Sequence, residues 1–130
     1  MGRTVSGVER QTGYETHPEH RLALSPAERM VRVSFQGQIL AESRHALRLD
    51  EGAYAPVYYL PRSAVDMSRF VRTERTTYCP FKGDAHYWSI SGEDDAGDHA
   101  VWTYEDPYVE VAGLKDYLAF YPDKVDIELV

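Results

Sequence analysis

Cys79 is the residue whose type and spacing point most directly to chemistry. It lies in the segment formed by residues 76–83, where Pro80 follows it directly and Lys82 lies three residues further on. A lysine near a thiol favours the thiolate, the nucleophilic and redox-active form of cysteine. A nucleophilic cysteine also needs a base, usually a histidine. Cys79 is therefore a candidate catalytic residue, and the alternative is a small buried side chain with a packing role.

A larger set of side chains has the character of a ligand-binding surface. Arg62 and Lys82 supply positive charge, and Thr77 and Cys79 lie close to Lys82 in the sequence. Aromatic side chains provide either stacking walls for a ligand or packing pairs between strands. The aromatic members of the set are Tyr59, Trp88, Trp102 and Tyr104. Together these residues predict a pocket around the Cys79 loop for a small polar or anionic ligand.

Several other kinds of site lack their sequence signatures. The chain has one cysteine, and its five histidines do not have metal-ligand spacing, so neither a disulfide nor a metal centre is predicted. No glycine-rich nucleotide loop and no hydrolase nucleophile elbow occurs. We therefore predict no cofactor.

The net charge of −7 narrows the class of partner. Nucleic-acid-binding proteins normally present a net basic face, so an acidic chain argues against nucleic acid as the partner. Residues 61–90 nevertheless carry five basic side chains against three acidic ones, which suits an anionic small molecule. No stretch approaches the roughly 18 apolar residues of a membrane span, and no secretory signal is recognisable. The expected location is the cytoplasm, without a membrane partner.

Short strands are the elements that must position these residues. Val31, Val33 and Phe35 alternate with polar residues, which is the period of a strand with one buried face. Residues 73–79 and 85–91 predict a hairpin that contains the segment around the cysteine. About eight such strands, separated by turn residues, predict a mainly β, antiparallel fold.

Helices and domains complete this prediction. One or two short helices are expected, the clearest at residues 64–70. Hydrophobic residues make up 43% of the 130 residues, enough for one compact domain. Residues 1–19 are polar and predict an N-terminal arm, which leaves residues 20–130 as a single β-rich domain. An arm of this kind suggests contact with a second subunit, so a homodimeric interaction module is a further hypothesis.

The residue string around the cysteine is specific enough to carry a family resemblance. Thr77-Tyr78-Cys79-Pro80-Phe81-Lys82-Gly83, followed by Ala85-His86-Tyr87-Trp88, closely resembles the signature of a bacterial family, the domain of unknown function numbered 427. The segments Tyr59-Leu60-Pro61-Arg62 and Phe120-Tyr121-Pro122 also match. The resemblance covers about residues 20–128.

This resemblance implies a β-tent-like fold, similar to methionine sulfoxide reductase B and the cereblon ligand-binding domain, with a groove on one sheet face. Those proteins usually hold zinc with paired cysteines, which this chain lacks. Many relatives carry a histidine where Tyr78 stands, so a histidine–cysteine pair is absent here. A nucleotidyltransferase-type label is attached to the family, but the phosphate loop and paired carboxylates of that chemistry are missing. The resemblance therefore leaves it open whether the chain is an enzyme that uses Cys79.

Overall fold

The structure, a computed structural model, describes residues 3–5, 8–10, 12–92 and 94–130, with side chains from residue 12 onward. Its strands are β1 (Arg3–Val5), β2 (Val8–Arg10), β3 (Leu22–Pro26), β4 (Val31–Phe35), β5 (Gln38–Ser43), β6 (Leu47–Glu51), β7 (Val57–Pro61), β8 (Phe70–Cys79), β9 (Gly83–Ile90), β10 (Val101–Tyr104), β11 (Tyr117–Phe120) and β12 (Asp126–Leu129). Helix α1 covers Gly13–Thr16, and 3-10 turns cover Arg62–Ala64, Met67–Arg69 and Val109–Leu114. The mainly β fold class is confirmed.

The strands pair into one large sheet, one small sheet and the separate β1–β2 hairpin. The large sheet has seven strands in the order β3-β6-β7-β11-β10-β9-β8, and the small sheet has three in the order β12-β4-β5. Neighbouring strands in both sheets are antiparallel. The small sheet packs its alternating residues Val31 and Val33 against Leu118, Phe120 and Trp88 of the large sheet, which forms the main core.

The large sheet is strongly curved, and its concave face is the one that does not pack on the small sheet. Four steps separate β6 from β9 in the sheet order, or about 19 Å at the usual strand spacing if the sheet were flat. Lys82, immediately before β9, nevertheless places its Nζ 2.7 Å from Oε1 of Glu51 on β6. The two sides of the sheet therefore approach each other over the concave face. A second apolar cluster fills this face, and the 3-10 turn Val109–Leu114 packs on it.

Two local predictions need correction. The prediction of a helix at residues 64–70 is wrong. Val65 lies between two 3-10 turns, has an extended backbone and forms a β-bridge with Ala41. Its side chain is buried in the main core, so tertiary packing decides its conformation. The strands also outnumber the predicted eight, in part because the polar arm itself contains β1 and β2. No helix in the described ranges is long and apolar enough to cross a membrane.

The later part of the N-terminal arm packs on its own chain. In this strap, which comprises residues 12–20, the Gly13 amide donates to the Pro80 carbonyl oxygen at 2.7 Å. The Tyr14 hydroxyl donates to the carbonyl oxygen of Phe81 at 2.7 Å, and the His20 ring lies 4.5 Å from the Phe81 ring. The strap thus covers the turn that follows Cys79. Residues 1, 2, 6, 7 and 11 of the predicted arm lie outside the described residues.

Candidate functional site

The β8–β9 hairpin positions the cysteine segment. Cys79 pairs with Gly83 across the hairpin, and the Lys82 amide donates to the Cys79 carbonyl oxygen at 3.2 Å. Gly83 has a φ of 108°, in the left-handed region that favours glycine, and a Cβ there would lie 3.3 Å from the Asp106 carbonyl oxygen. The tight turn therefore fixes Cys79 and directs Lys82 toward Glu51.

Cys79 itself is half-buried among aromatic side chains of the concave face. It packs against the cluster that contains Tyr59 and Tyr104. Burial raises the pKa of both phenols above their ordinary value of 10, so both hydroxyls are protonated at neutral pH. The thiol is not hydrogen-bonded to a histidine base among the described residues.

Lys82 belongs to a three-residue cluster that we call the clasp, formed with Glu51 and His20. Lys82 is 8% exposed and donates to Oε1 of Glu51, while Nε2 of His20 lies 3.0 Å from the other carboxylate oxygen. Burial alone would raise the pKa of Glu51, but the hydrogen bonds from Lys82 and His20 outweigh it and lower that pKa. The charge of Lys82 is thus balanced within the protein.

The other end of the concave face carries the aromatic wall, defined as Tyr59, Trp102, Tyr121 and Tyr87. The Tyr59 and Trp102 ring centroids are 6.2 Å apart, those of Trp102 and Tyr121 are 4.5 Å apart, and Tyr121 stacks on Tyr87 at 6.5 Å. Trp102 and Tyr121 are the half-exposed members. Burial and a hydrogen bond with Tyr87 raise the pKa of Tyr121 to about 12. The Tyr87 hydroxyl also bonds to Oγ1 of Thr77 at 2.8 Å.

A cavity of about 340 Å³, the polar cavity, opens beside this wall. Its lining residues are Arg75, Asp98, His99, Tyr121, Asp123 and Lys124. The Arg75 guanidinium lies 4.7 Å above the Tyr87 ring, and Nδ1 of His99 lies 3.1 Å from Oγ1 of Thr73. Neither Arg75 nor Lys124 forms an ion pair with another described residue. Two cations therefore border open volume without an ion-pair partner in the described part of the chain.

Arg62 and Trp88 lie on the opposite face of the sheet. Trp88 is 4% exposed in the main core, with the guanidinium carbons of Arg62 and Arg72 at 5.4 and 5.0 Å from its ring centroid. Arg72 also binds the Glu105 carboxylate through two nitrogens, at 3.0 and 2.9 Å. Those hydrogen bonds lower the pKa of Glu105. This arginine–tryptophan cluster is separate from the cysteine segment.

The structure thus brings together part of the predicted site. The residues that share the concave face are Tyr59, Thr77, Cys79, Lys82, Trp102 and Tyr104. Arg62 and Trp88 are not among them. The sequence reasoning missed Arg75, although its spacing of two from Thr77 on the same strand is the signal that would have placed it on this face. The partnership of Lys82 with Glu51 has no local signal, because 31 residues separate them.

Metal-binding arrangements are not found among residues 12–92 and 94–130. No group of three or more histidine, cysteine, aspartate or glutamate side chains in these ranges is placed to hold an ion. His86 pairs with Thr103 across the sheet and lies 3.5 Å from Glu105, whereas His99 contacts Thr73. These two histidines therefore have different surroundings and do not face each other.

Comparison with known proteins identifies the family of this chain. The family model described as Domain of unknown function (DUF427) matches residues 23–130, which includes the hairpin, the aromatic wall and the polar cavity. A search of the curated proteins finds no significant match. The matched range begins after the strap, so the family model covers the sheets and not the N-terminal arm. The chain belongs to the DUF427 family.

Proposed function

We propose that this protein binds a small polar molecule with an anionic group, held against the aromatic wall in the polar cavity. The observation that carries the proposal is the open volume beside Tyr121, bordered by Arg75 and Lys124 without ion-pair partners among the described residues. A volume of about 340 Å³ falls at the small end of known ligand pockets, about 300–1,000 Å³. The ligand is therefore small.

The two acids of the cavity refine the chemical class. Asp98 and Asp123 also line the cavity without forming an ion pair with either cation, so a ligand that is only anionic meets two acids as well as two cations. A molecule with an anionic group at one end can bind the two cations, and hydrogen-bond donors at its other end can bind the two acids. The Tyr121 ring offers a stacking surface for a planar part between them.

The proposed pocket is displaced along β8 from the Cys79 loop. Lys82 forms an ion pair with Glu51, so its charge is already compensated and does not attract a ligand. The hydroxyl contacts from Thr77 to Tyr87 and on to Tyr121, at 2.8 and 3.5 Å, connect the cysteine strand to the cavity. The signature segment thus supports one wall of the pocket, and Arg75 supplies its cation.

Two other hypotheses receive less support from the geometry. An enzyme that uses Cys79 needs an accessible thiol with a lowered pKa, so an alkylation rate that is slow at neutral pH would count against it. A homodimer that uses the N-terminal arm predicts a mass by light scattering that halves when residues 1–19 are deleted. The strap contacts its own chain at Pro80 and Phe81, which gives those residues a role without a second subunit.

The binding proposal is tested with a probe that has the required chemistry. We expect 4-aminobenzoate, which has a carboxylate, a ring and an amino group, to shift the amide NMR signals around Tyr121 saturably. Arg75→Ala should weaken this binding about tenfold, because it removes a charge-assisted hydrogen bond. Arg44→Ala, which removes an exposed arginine outside the cavity, should not. Equal binding of the uncharged 4-aminobenzamide, or no effect of Arg75→Ala, would contradict the proposal.

A further inference from the structure

A second cavity, of about 300 Å³, is lined by Phe120 and Pro122, the neighbours in sequence of Tyr121 in the polar cavity. Its walls come from β7, β10, β11 and β12, so residues of both sheets enclose it. The side chains that define it are Val57, Tyr58, Trp102, Phe120, Ile127 and Leu129. We call it the apolar cavity. It opens where the large sheet and the small sheet separate at one end of the main core.

The lining of the apolar cavity differs in kind from that of the polar cavity. No lining residue is charged, and aromatic rings form three of its walls. The Trp102 indole is half-exposed here, where it also contacts the Tyr121 ring at 4.5 Å. Tyr54 and Val130, which adjoin the lining residues Ala55 and Leu129 in the sequence, are 74% and 53% exposed. Water in such a cavity has few hydrogen-bond partners, so its displacement by an apolar group is favourable.

We propose that the apolar cavity is a binding site for a small, uncharged, flat aromatic molecule of one or two fused rings. The limited volume sets the upper size of this ligand, and the aromatic walls favour a planar shape. The absence of a lining charge excludes recognition of an ionic group inside. A protein partner requires a face of about 800 Å² on each side, which a concavity of this size does not supply.

The two tryptophans of the chain provide a direct readout of this site. Trp102 lines the cavity, whereas Trp88 is 4% exposed in the main core and does not line it. In NMR titrations with 1-naphthol as the probe, the indole N–H signal of Trp102 should shift saturably and that of Trp88 should not. A dissociation constant of about 1 mM or tighter is expected for a ligand of this size. The anionic naphthalene-2-sulfonate should bind at least about tenfold more weakly, because its charge finds no partner there.

A matched pair of substitutions tests the location. Ala55 lines the cavity and Ala53 does not, and both are exposed in the segment between β6 and β7. Ala55→Phe should fill the cavity and abolish the Trp102 shift, whereas Ala53→Phe and Arg75→Ala should bind 1-naphthol as the wild type does. The proposal is overturned by any of three results: no saturable shift in the wild type, an equal shift in Ala55→Phe, or a Trp102 shift that follows protein concentration without the probe. The last result would indicate self-association at this face.

Discussion

The concave face has two ends that place similar residue types in different surroundings. At the clasp end, Lys82 is 8% exposed and is paired with Glu51, whose carboxylate also contacts His20. At the open end, Arg75 lies over the Tyr87 ring beside the polar cavity, without an ion pair among the described residues. A cation on the concave face is therefore not by itself a candidate binding group. We expect its role to depend on whether an acid of the same chain forms an ion pair with it.

If the proposed binding is correct, we expect this contrast to separate residues that stabilise the fold from residues that bind the ligand. Substitutions at the clasp should lower the free energy of unfolding, because they leave a partly buried charge without its partner. Substitutions at the open end should alter ligand binding and leave unfolding nearly unchanged. The predictions below test that separation, in order of decreasing expected effect.

Lys82→Met should have the largest effect, a loss of about 3 kcal/mol in the free energy of unfolding. The substitution keeps the apolar stem but leaves the Glu51 carboxylate with only His20, while Glu51 is just 21% exposed. Urea unfolding at pH 7 measures the change. Lys115→Met, at an exposed lysine, is the matched control and should change the same quantity by less than about 0.5 kcal/mol. Equal effects in the two variants would remove the distinction between the two ends.

Gly13→Ala should follow, with a loss of about 1–2 kcal/mol. A Cβ at position 13 would lie 2.5 Å from the Phe81 ring, so either the strap or the ring must move. Amide hydrogen exchange at residue 13, whose N–H donates to Pro80, should become faster. Gly92→Ala meets no atom within 4 Å and serves as the control. Unchanged exchange at residue 13 would show that the strap tolerates the methyl group.

Glu51→Gln should alter the acid limb of the stability curve. The pKa of Glu51 in the folded state lies below its ordinary value of 4.5, so the folded state binds this proton less readily than the unfolded chain does. The resulting stabilisation is present above about pH 4.5 and is lost as the pH falls through the lower folded-state pKa. Urea unfolding between pH 3 and 7 should therefore show a shallower acid dependence in the variant. Glu74→Gln, at an exposed position on β8, should retain the wild-type slope, and a wild-type slope in both variants would contradict this assignment.

Arg75→Ala should have the smallest effect on stability, within about 0.5 kcal/mol, because this side chain is exposed. The same variant is expected to lose most of its binding of 4-aminobenzoate. Urea unfolding and the NMR titration, carried out on one preparation, measure both quantities. A large loss of stability would mean that Arg75 acts as Lys82 does, and the two ends would then not differ.

Much of the fold could be predicted because its signals are local. The alternation of Val31, Val33 and Phe35 predicted a strand with one buried face, and all three side chains are buried in β4. The hairpin predicted at residues 73–79 and 85–91 corresponds to β8 and β9. Both signals lie within a few residues of the structure that they specify. The helix predicted at residues 64–70 failed because a distant partner, Ala41, pairs with Val65.

The candidate site was less predictable, because the curvature of the large sheet determines which of its residues meet. Period-two alternation correctly separates the faces of neighbouring residues, as with Trp102 on the concave face and Val101 in the main core. It does not tell which edge of the sheet bends toward which. Arg62 follows β7 directly in sequence, yet it lies against Trp88 on the far face. Lys82 likewise reaches Glu51 only because the sheet curves across the four strand spacings that separate β6 from β9.

The clasp also has an evolutionary consequence. Its three residues come from the strap, from β6 and from the turn before β9, so each can be lost by an independent mutation. Loss of Lys82 alone leaves an acid that the fold has partly removed from water, which selection would oppose more strongly than the loss of both partners. Positions 51 and 82 are therefore expected to change together among related chains, and position 20 to follow them. Such joint substitution would indicate that the three clasp residues evolve together because they hold the curved sheet closed.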